Sequence, residues 1–267
     1  MRRAEVNIER EIRSRLSQIE VEEDVAICLA VESGSRAWGF PSADSDYDVR
    51  FIYVRRPEWY LTIDLENKSD VIEIPIDDRL DIQGWDVRKA LKLFRKSNPP
   101  LLEWLQCFII YVETSSLAAR LRKLLLEFYS PMASIFHYLH MACGNHRSYL
   151  RGAQVWQKKY FYVLRPLLAI LWIEQGMGPV PIEFDRLLEE TISDVELKHE
   201  IENLLQAKKA GNELDRGPRI EAISRFIENE LQRHENDKHI KSKASPPIEH
   251  LNAIFRQTLE EVWSNSD

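Results

Sequence analysis

Cysteine is scarce in this sequence, with Cys28, Cys107 and Cys143 the only three in 267 residues. Their number is odd, no two form a CxxC pair, and each lies in an apolar pattern, so reduced, buried thiols are expected. Long apolar runs are also missing. None approaches the roughly 18 residues that span a bilayer, and the start, MRRAEVNIEREIRSRL, has no apolar h-region. A soluble, cytoplasmic protein with no membrane partner is therefore expected. Nor is there an excess of positive charge. Lys and Arg total 36 against 43 Asp and Glu, a net charge of -7, which is not the strongly basic footprint expected for duplex DNA. A local basic groove stays compatible with that balance. No block of like charge reads as a disordered tail, and there is no internal repeat or low-complexity segment.

What is present is ample apolar material, 44% of residues, patterned in two ways. Ile8, Ile12, Leu16 and Ile19 recur at helical spacing and predict an opening amphipathic helix. VAICLAV, residues 25–31, is a continuous apolar run suited to a strand covered on both faces. Residues 47–54 alternate, with Tyr47, Val49, Phe51 and Tyr53 on one side and Asp46, Asp48, Arg50 and Ile52 on the other. DVIEIPI and RLDIQGW predict two further strands around a turn at Asp77 and Asp78, and FIIYV, residues 108–112, one more. Asp86 caps a helix over VRKALKLFRK, and Asn98 followed by two prolines starts another. From Ser115 the pattern is helical: 115–128, 131–151, 153–175, 185–209, 217–234 and 247–263. The expected class is α+β, a small mixed sheet with flanking helices followed by an α-helical C-terminal region. Two domains are expected, an α+β one over residues 1–114 and a helical one over 115–267. Residues 236–247, polar, Lys-rich and closed by two prolines, are expected to form a mobile loop.

One stretch carries chemistry: ESGSRAWGFPSADSDYDVRFIYV, residues 32–54. Side chains two apart on a strand point the same way, about 6.6 Å between α-carbons, so Asp46 and Asp48 can converge on a hard cation. Magnesium suits oxygen donors and is often completed by substrate phosphates, and a divalent ion relieves the repulsion between the two carboxylates. Gly34 allows a tight turn and close backbone approach, and the Ser35 hydroxyl can donate to a phosphate. A third carboxylate is wanted from a neighbouring strand. Asp81 qualifies by alternating with Leu80 and Ile82; Glu73 and Asp86 are poorer candidates, Asp86 having a capping role. Asp and Ser clusters often do no more than satisfy turn amides. A Gly-Ser turn after a buried strand, then Asp-x-Asp entering a strand, then a lone Asp on a later strand is harder to reach by accident.

These residues resemble the signature of the DNA polymerase β-like nucleotidyltransferase superfamily. The whole pattern is more closely similar to the nucleotidyltransferases of YcgL or RlaP type, through LDIQGWDVRKALKLFRKSNPPLLEWL, KKYFYVLRPLLAILWI, LLQAKKAGNE and LNAIFRQTLEE. The resemblance covers about residues 20–263. It implies that Gly34 and Ser35 hold nucleotide phosphates, that Asp46 and Asp48 bind two Mg2+ ions (Mn2+ as a substitute), and that Asp81 completes the set and favours deprotonation of the attacking hydroxyl. The expected reaction is transfer of NMP from an NTP to a hydroxyl on an RNA end, a protein or a small molecule, with release of pyrophosphate. The alternative is a non-catalytic nucleotide-binding regulatory or interaction module.

Arg151, Lys158 and Arg165 recur every seven residues, with Tyr162 one turn from Lys158, and predict a basic and aromatic stripe along one helix. Lys158, Tyr162 and Arg165 are the expected contacts to phosphates and base; a solvated outer face is the plainer reading. His137, His140, Cys143 and His146 fall at steps of three, which turn the fourth residue away from the first and so do not build one zinc centre on a straight helix.

Overall fold

The computed structural model describes residues 2–76, 79–211, 214–235 and 246–264. The expected turn at Asp77 and Asp78 lies outside the described residues, as do residues 236–245 of the expected loop. Helix α1 (Arg2–Glu23) leads into strand β1 (Val25–Glu32), then the one-turn α2 (Gly34–Ala37) and strand β2 (Tyr47–Arg55). The short α3 (Pro57–Tyr60), strands β3 (Val71–Glu73) and β4 (Leu80–Asp86), helices α4 (Val87–Arg95) and α5 (Pro99–Gln106), and strand β5 (Ile110–Glu113) complete the front half. Helices α6 (Leu117–Phe128) and α7 (Pro131–Tyr149), strand β6 (Gln154–Trp156), and helices α8 (Tyr160–Glu174), α9 (Phe184–Thr191) and α10 (Val195–Lys209) follow. Strand β7 (Arg216–Pro218), α11 (Glu221–Glu235) and α12 (Glu249–Trp263) close the chain's order.

The five-stranded sheet runs β3-β4-β2-β1-β5. Only β2 and β4 are parallel; the other pairings are antiparallel. It is a mixed sheet, as expected. One face is covered by α1, whose Ile8, Ile12, Leu16 and Ile19 are buried against Val49, Phe51 and Tyr53. The opposite face, including Ile52 and Val54, packs on residues of α4, α5, α6 and α12. Alternation along β2 thus feeds two cores, each removing apolar surface from water at about 25 cal/mol per Å². A third core centres on α7, α8, α9, α10 and α11.

Capping sets several boundaries. The Asp86 carboxylate accepts from the Arg88 amide at 2.7 Å and Asn98 from the Leu101 amide at 3.2 Å, each satisfying an orphan donor of a first turn. Asp194 does the same for Glu196 and Leu197. That cap divides the helix expected over 185–209 into α9 and α10.

A larger departure lies at 150–160. In place of one helix from 153, α7 ends at Tyr149 and Gly152 turns with φ +97°, a conformation that glycine adopts without Cβ strain. Residues 154–156 then pair antiparallel with β7. Cys28 and Cys107 are buried, whereas Cys143 is only half-buried, a correction to the expectation that all three are buried. No described helix is long and apolar enough to cross a membrane.

Candidate active site

The end of the sheet where β2 and β4 begin carries the acidic residues. Parallel pairing places Asp48 directly opposite Asp81, on strands about 4.8 Å apart. Their side chains are 29% and 32% exposed, so solvent reaches both. Glu73 instead accepts from Gln83 at 2.6 Å. Asp86 is buried, accepting from Tyr60 and capping α4. Of the three candidates for the third carboxylate, Asp81 is the one that faces Asp48.

Gly34 opens α2 with φ +58°, and a Cβ built on it would stand 2.1 Å from Asp48 Oδ2. No other residue fits that contact without displacing the carboxylate. Ser35 follows in the same turn, half-buried. The backbone amide of Ser33 donates to the Asp48 carbonyl at 2.8 Å, tying the Gly-Ser turn to β2. Asp46 is exposed just before β2, and its backbone carbonyl accepts from Arg36 Nε at 3.1 Å. Arg36 also donates to the Ser45 carbonyl at 2.7 Å and stacks over Tyr47 at 3.7 Å, clamping the loop that delivers Asp46.

Two further residues hold Asp48 and were not singled out in the sequence. Glu32 is 1% exposed; its Oε1 accepts from the Asp48 amide at 2.8 Å and its Oε2 from the Tyr111 hydroxyl. Burial pushes the Glu32 carboxyl up, against those two hydrogen bonds. Arg50 donates through Nη2 to Asp81 Oδ2 at 2.7 Å and to Asp48 Oδ1 at 3.2 Å. Strand alternation already placed Arg50 on the side of Asp48, and that was the available signal. Burial raises the Asp48 carboxyl above the ordinary range; Arg50 opposes this, and the charges of Asp81 and Asp46 add to it.

Across from the carboxylates stands the helical half. Burial, then the charges of Asp48 and Asp46, push the Tyr162 phenol up, which brings this α8 residue within electrostatic reach of both acids. Tyr162 is 42% exposed and packs edge-on against Trp38, centroids 5.9 Å apart. Lys158 is exposed. Burial and the charge of Lys158 push the Lys159 ammonium down. Lys208 is pushed down by burial and by Lys158, with Asp44 opposing. Lys158, Lys159 and Lys208 therefore share one field beside the loop that carries Asp44 and Asp46. Lys159 and Lys208 had no role in the sequence reading.

Arg165 does not join them. Its side chain is 2% exposed, with Nη1 2.6 Å from Glu103 Oε1 and Nη2 donating to the carbonyls of Pro181 and Ile182. The expected stripe of Arg151, Lys158 and Arg165 does not exist as one helical face, because Arg151 follows α7 and Lys158 precedes α8. Arg165 as a phosphate contact is corrected on that geometry: a guanidinium enclosed by a carboxylate and two carbonyls has no face left for a ligand.

Oxygen-only donors, partly desolvated and mutually repelling, suit a hard divalent cation, and Asp46, Asp48 and Asp81 are the residues that could hold one. Among the described residues no three His, Cys, Asp or Glu side chains are gathered closely enough to coordinate a metal; Arg50 bridges Asp48 and Asp81 instead.

A family model described as "RlaP: RNA repair pathway DNA polymerase beta family" matches residues 8–257. The chain belongs to the RlaP family. It is also 51% identical over 255 residues to "Uncharacterized protein YcgL" of Bacillus subtilis (strain 168), covering 95% of this chain and 97% of that protein. A solved nucleotidyltransferase-like protein from Exiguobacterium sibiricum 255-15 shares 14% identity, with 97% of this chain and 85% of that one covered, at a TM-score of 0.33. That likeness is too loose to bear on the site. The RlaP match spans the sheet and the helices beyond it, including Asp46, Asp48, Asp81, Lys158, Tyr162 and Lys208.

Proposed function

We propose that this RlaP-family protein transfers a nucleoside monophosphate from an NTP to a hydroxyl, with an RNA end as acceptor and pyrophosphate as the leaving group. The observation that carries the reading is the register of Asp48 opposite Asp81, with the Gly34 backbone pressed against the Asp48 carboxylate. Bound divalent ions, Mg2+ with Mn2+ as a substitute, would supply Lewis-acid stabilisation of the attacking and leaving oxygens. Asp46, Asp48 and Asp81 would hold them, and Arg50 offsets the carboxylate charge otherwise.

The chain's own residues account for the remaining needs. Gly34, lacking a side chain, lets a polyphosphate approach the turn, and Ser35 stands beside it as a donor. Lys158, Lys159 and Lys208 offset triphosphate charge, and the exposed ring of Tyr162 offers a face to a base. Asp81 favours loss of the acceptor hydroxyl's proton as the new oxygen–phosphorus bond forms and the α–β phosphate bond breaks, its electron pair leaving with pyrophosphate. The RNA acceptor rests on the family's description and on the cationic and aromatic residues around Tyr162.

The test is to incubate the full chain and Asp48→Asn with each labelled NTP and Mg2+, then separate RNA, protein and small-molecule fractions and measure pyrophosphate. Label in the RNA fraction is expected, with release lost in Asp48→Asn while its unfolding transition persists. Full release by Asp48→Asn would overturn the mechanism. NTP-dependent thermal stabilisation without release under any acceptor would favour the non-catalytic module.

A further inference from the structure

A cavity of about 770 Å³ opens between α4, α7 and the start of α12. It lies at the other end of the sheet from the acidic residues. Asp81 is near the start of β4 and α4 begins after Asp86, five residues on, or about 17 Å along a strand.

Its wall is one-sided in charge. Arg88, Lys92, Arg95 and Lys96 line it together with His137, and no Asp or Glu does. Positions 88, 92, 95 and 96 follow the i, i+4, i+7, i+8 spacing of one helical face. Arg88 and Lys92 share a single exposed carboxylate, Glu66, at 3.0 and 4.0 Å. Among the described residues Arg95 and Lys96 have no ion-pair partner, and Arg95 Nε is buried without a hydrogen bond. A buried, unpaired donor of this kind costs about 1–3 kcal/mol unless something accepts from it. Favourable cations at the end of α4 account for Arg95 and Lys96 as surface groups, but not for a buried Nε or for a lining without a single carboxylate.

The opposite wall is apolar and ring-bearing. Phe136, 57% exposed, and Ile248, 43% exposed, stand with Phe255 and buried Leu251. An exposed ring at Phe136 and a half-buried one at Phe255, beside a cationic wall, match a ligand with a flat apolar part and several negative charges. A volume of this order is within the usual range for small-molecule sites, about 300–1,000 Å³.

We infer that this cavity is a second, separate nucleotide site: phosphates against Arg95, Lys96 and Lys92, and the base against Phe136 and Phe255. The multiplicity of cations selects a polyphosphate over a single carboxylate, because each added phosphate charge meets another cationic side chain. The inference does not depend on transfer at the acidic site, and either can fail alone.

Photolabelling of the full chain with 8-azido-ATP in EDTA, followed by peptide mapping, tests it. Adducts are expected on the peptides carrying Phe136 and residues 248–255. Lys96→Glu should lower that labelling about tenfold, as expected for reversing one close charge, and Phe136→Ala should lower it as well. Labelling at Tyr162 should be unaffected by either substitution. Both replaced side chains are exposed, and an unchanged unfolding midpoint verifies the fold. Absence of adducts on those peptides, or adducts that Lys96→Glu leaves undiminished, overturns the site.

Discussion

Asp48 is held by opposing demands. Its amide is fixed by Glu32, its carboxylate meets Gly34 and Arg50, and Asp81 and Asp46 repel it. A carboxyl whose folded pKa is raised adds stability only while protonated; below the unfolded value of 3.8 that contribution is complete, and it is lost as pH rises through the folded value. Asp48→Asn removes the titration but keeps the shape. The variant should therefore melt higher than the native chain at neutral pH in EDTA, with the two curves converging below about pH 3.8. Thermal unfolding across that range measures it, and a lower neutral-pH midpoint for the variant would mean that the Arg50 pairing outweighs desolvation and repulsion. The Gly-Ser turn and Asp-x-Asp spacing were legible because they are local. Arg50's bridge was not, since it requires the register between β2 and β4, set by strands about thirty residues apart.

At the scale of elements, Arg165 shows how helical periodicity misleads. A cation recurring every seven residues looks like a solvated stripe until another element supplies a partner. Here α5 supplies Glu103, which also accepts from Trp38 Nε1 at 3.1 Å and from Tyr138 at 3.4 Å. Arg165 stacks over Trp38 at 4.8 Å, and Trp38 in turn meets Tyr162. The ion pair thus joins α5, α8 and the segment after α2, and sets the wall that faces the acids. Removing one partner of a buried pair leaves a lone charge, so Arg165→Gln should cost about 3–5 kcal/mol of unfolding free energy. Adding Glu103→Gln should cost less than the sum of the two single changes, since a neutral amide pair replaces a stranded ion. Urea unfolding of the four chains of that cycle measures the coupling. Additive losses would show that Arg165 and Glu103 act independently, against the geometry.

At the scale of the molecule, a net charge of -7 conceals an uneven surface. The sequence revealed the balance but not the gathering of Lys158, Lys159 and Arg216 around exposed rings. That gathering depends on β6 pairing with β7, three-residue strands some sixty positions apart with no periodic signal of their own. Lys159 sits 4.9 Å from the Tyr149 ring and 4.4 Å from the Tyr162 ring, while Lys158 and Arg216 each lie 6.0 Å from Trp156. Rings flanked by cations form a platform for unpaired bases, on which each stacked base contributes about 1–3 kcal/mol. Trp156→Ala should therefore weaken binding of a short single-stranded RNA by about that amount and leave its salt dependence unchanged. Lys158→Ala should instead reduce the slope of log affinity against log salt by about 0.7, the value for one phosphate contact on a single strand. Fluorescence anisotropy across a salt series separates the two effects, because stacking and counterion release respond differently to ionic strength. Equal losses on duplex DNA, or a salt slope that Lys158→Ala does not change, would remove this surface as the path by which an RNA end reaches Asp48 and Asp81.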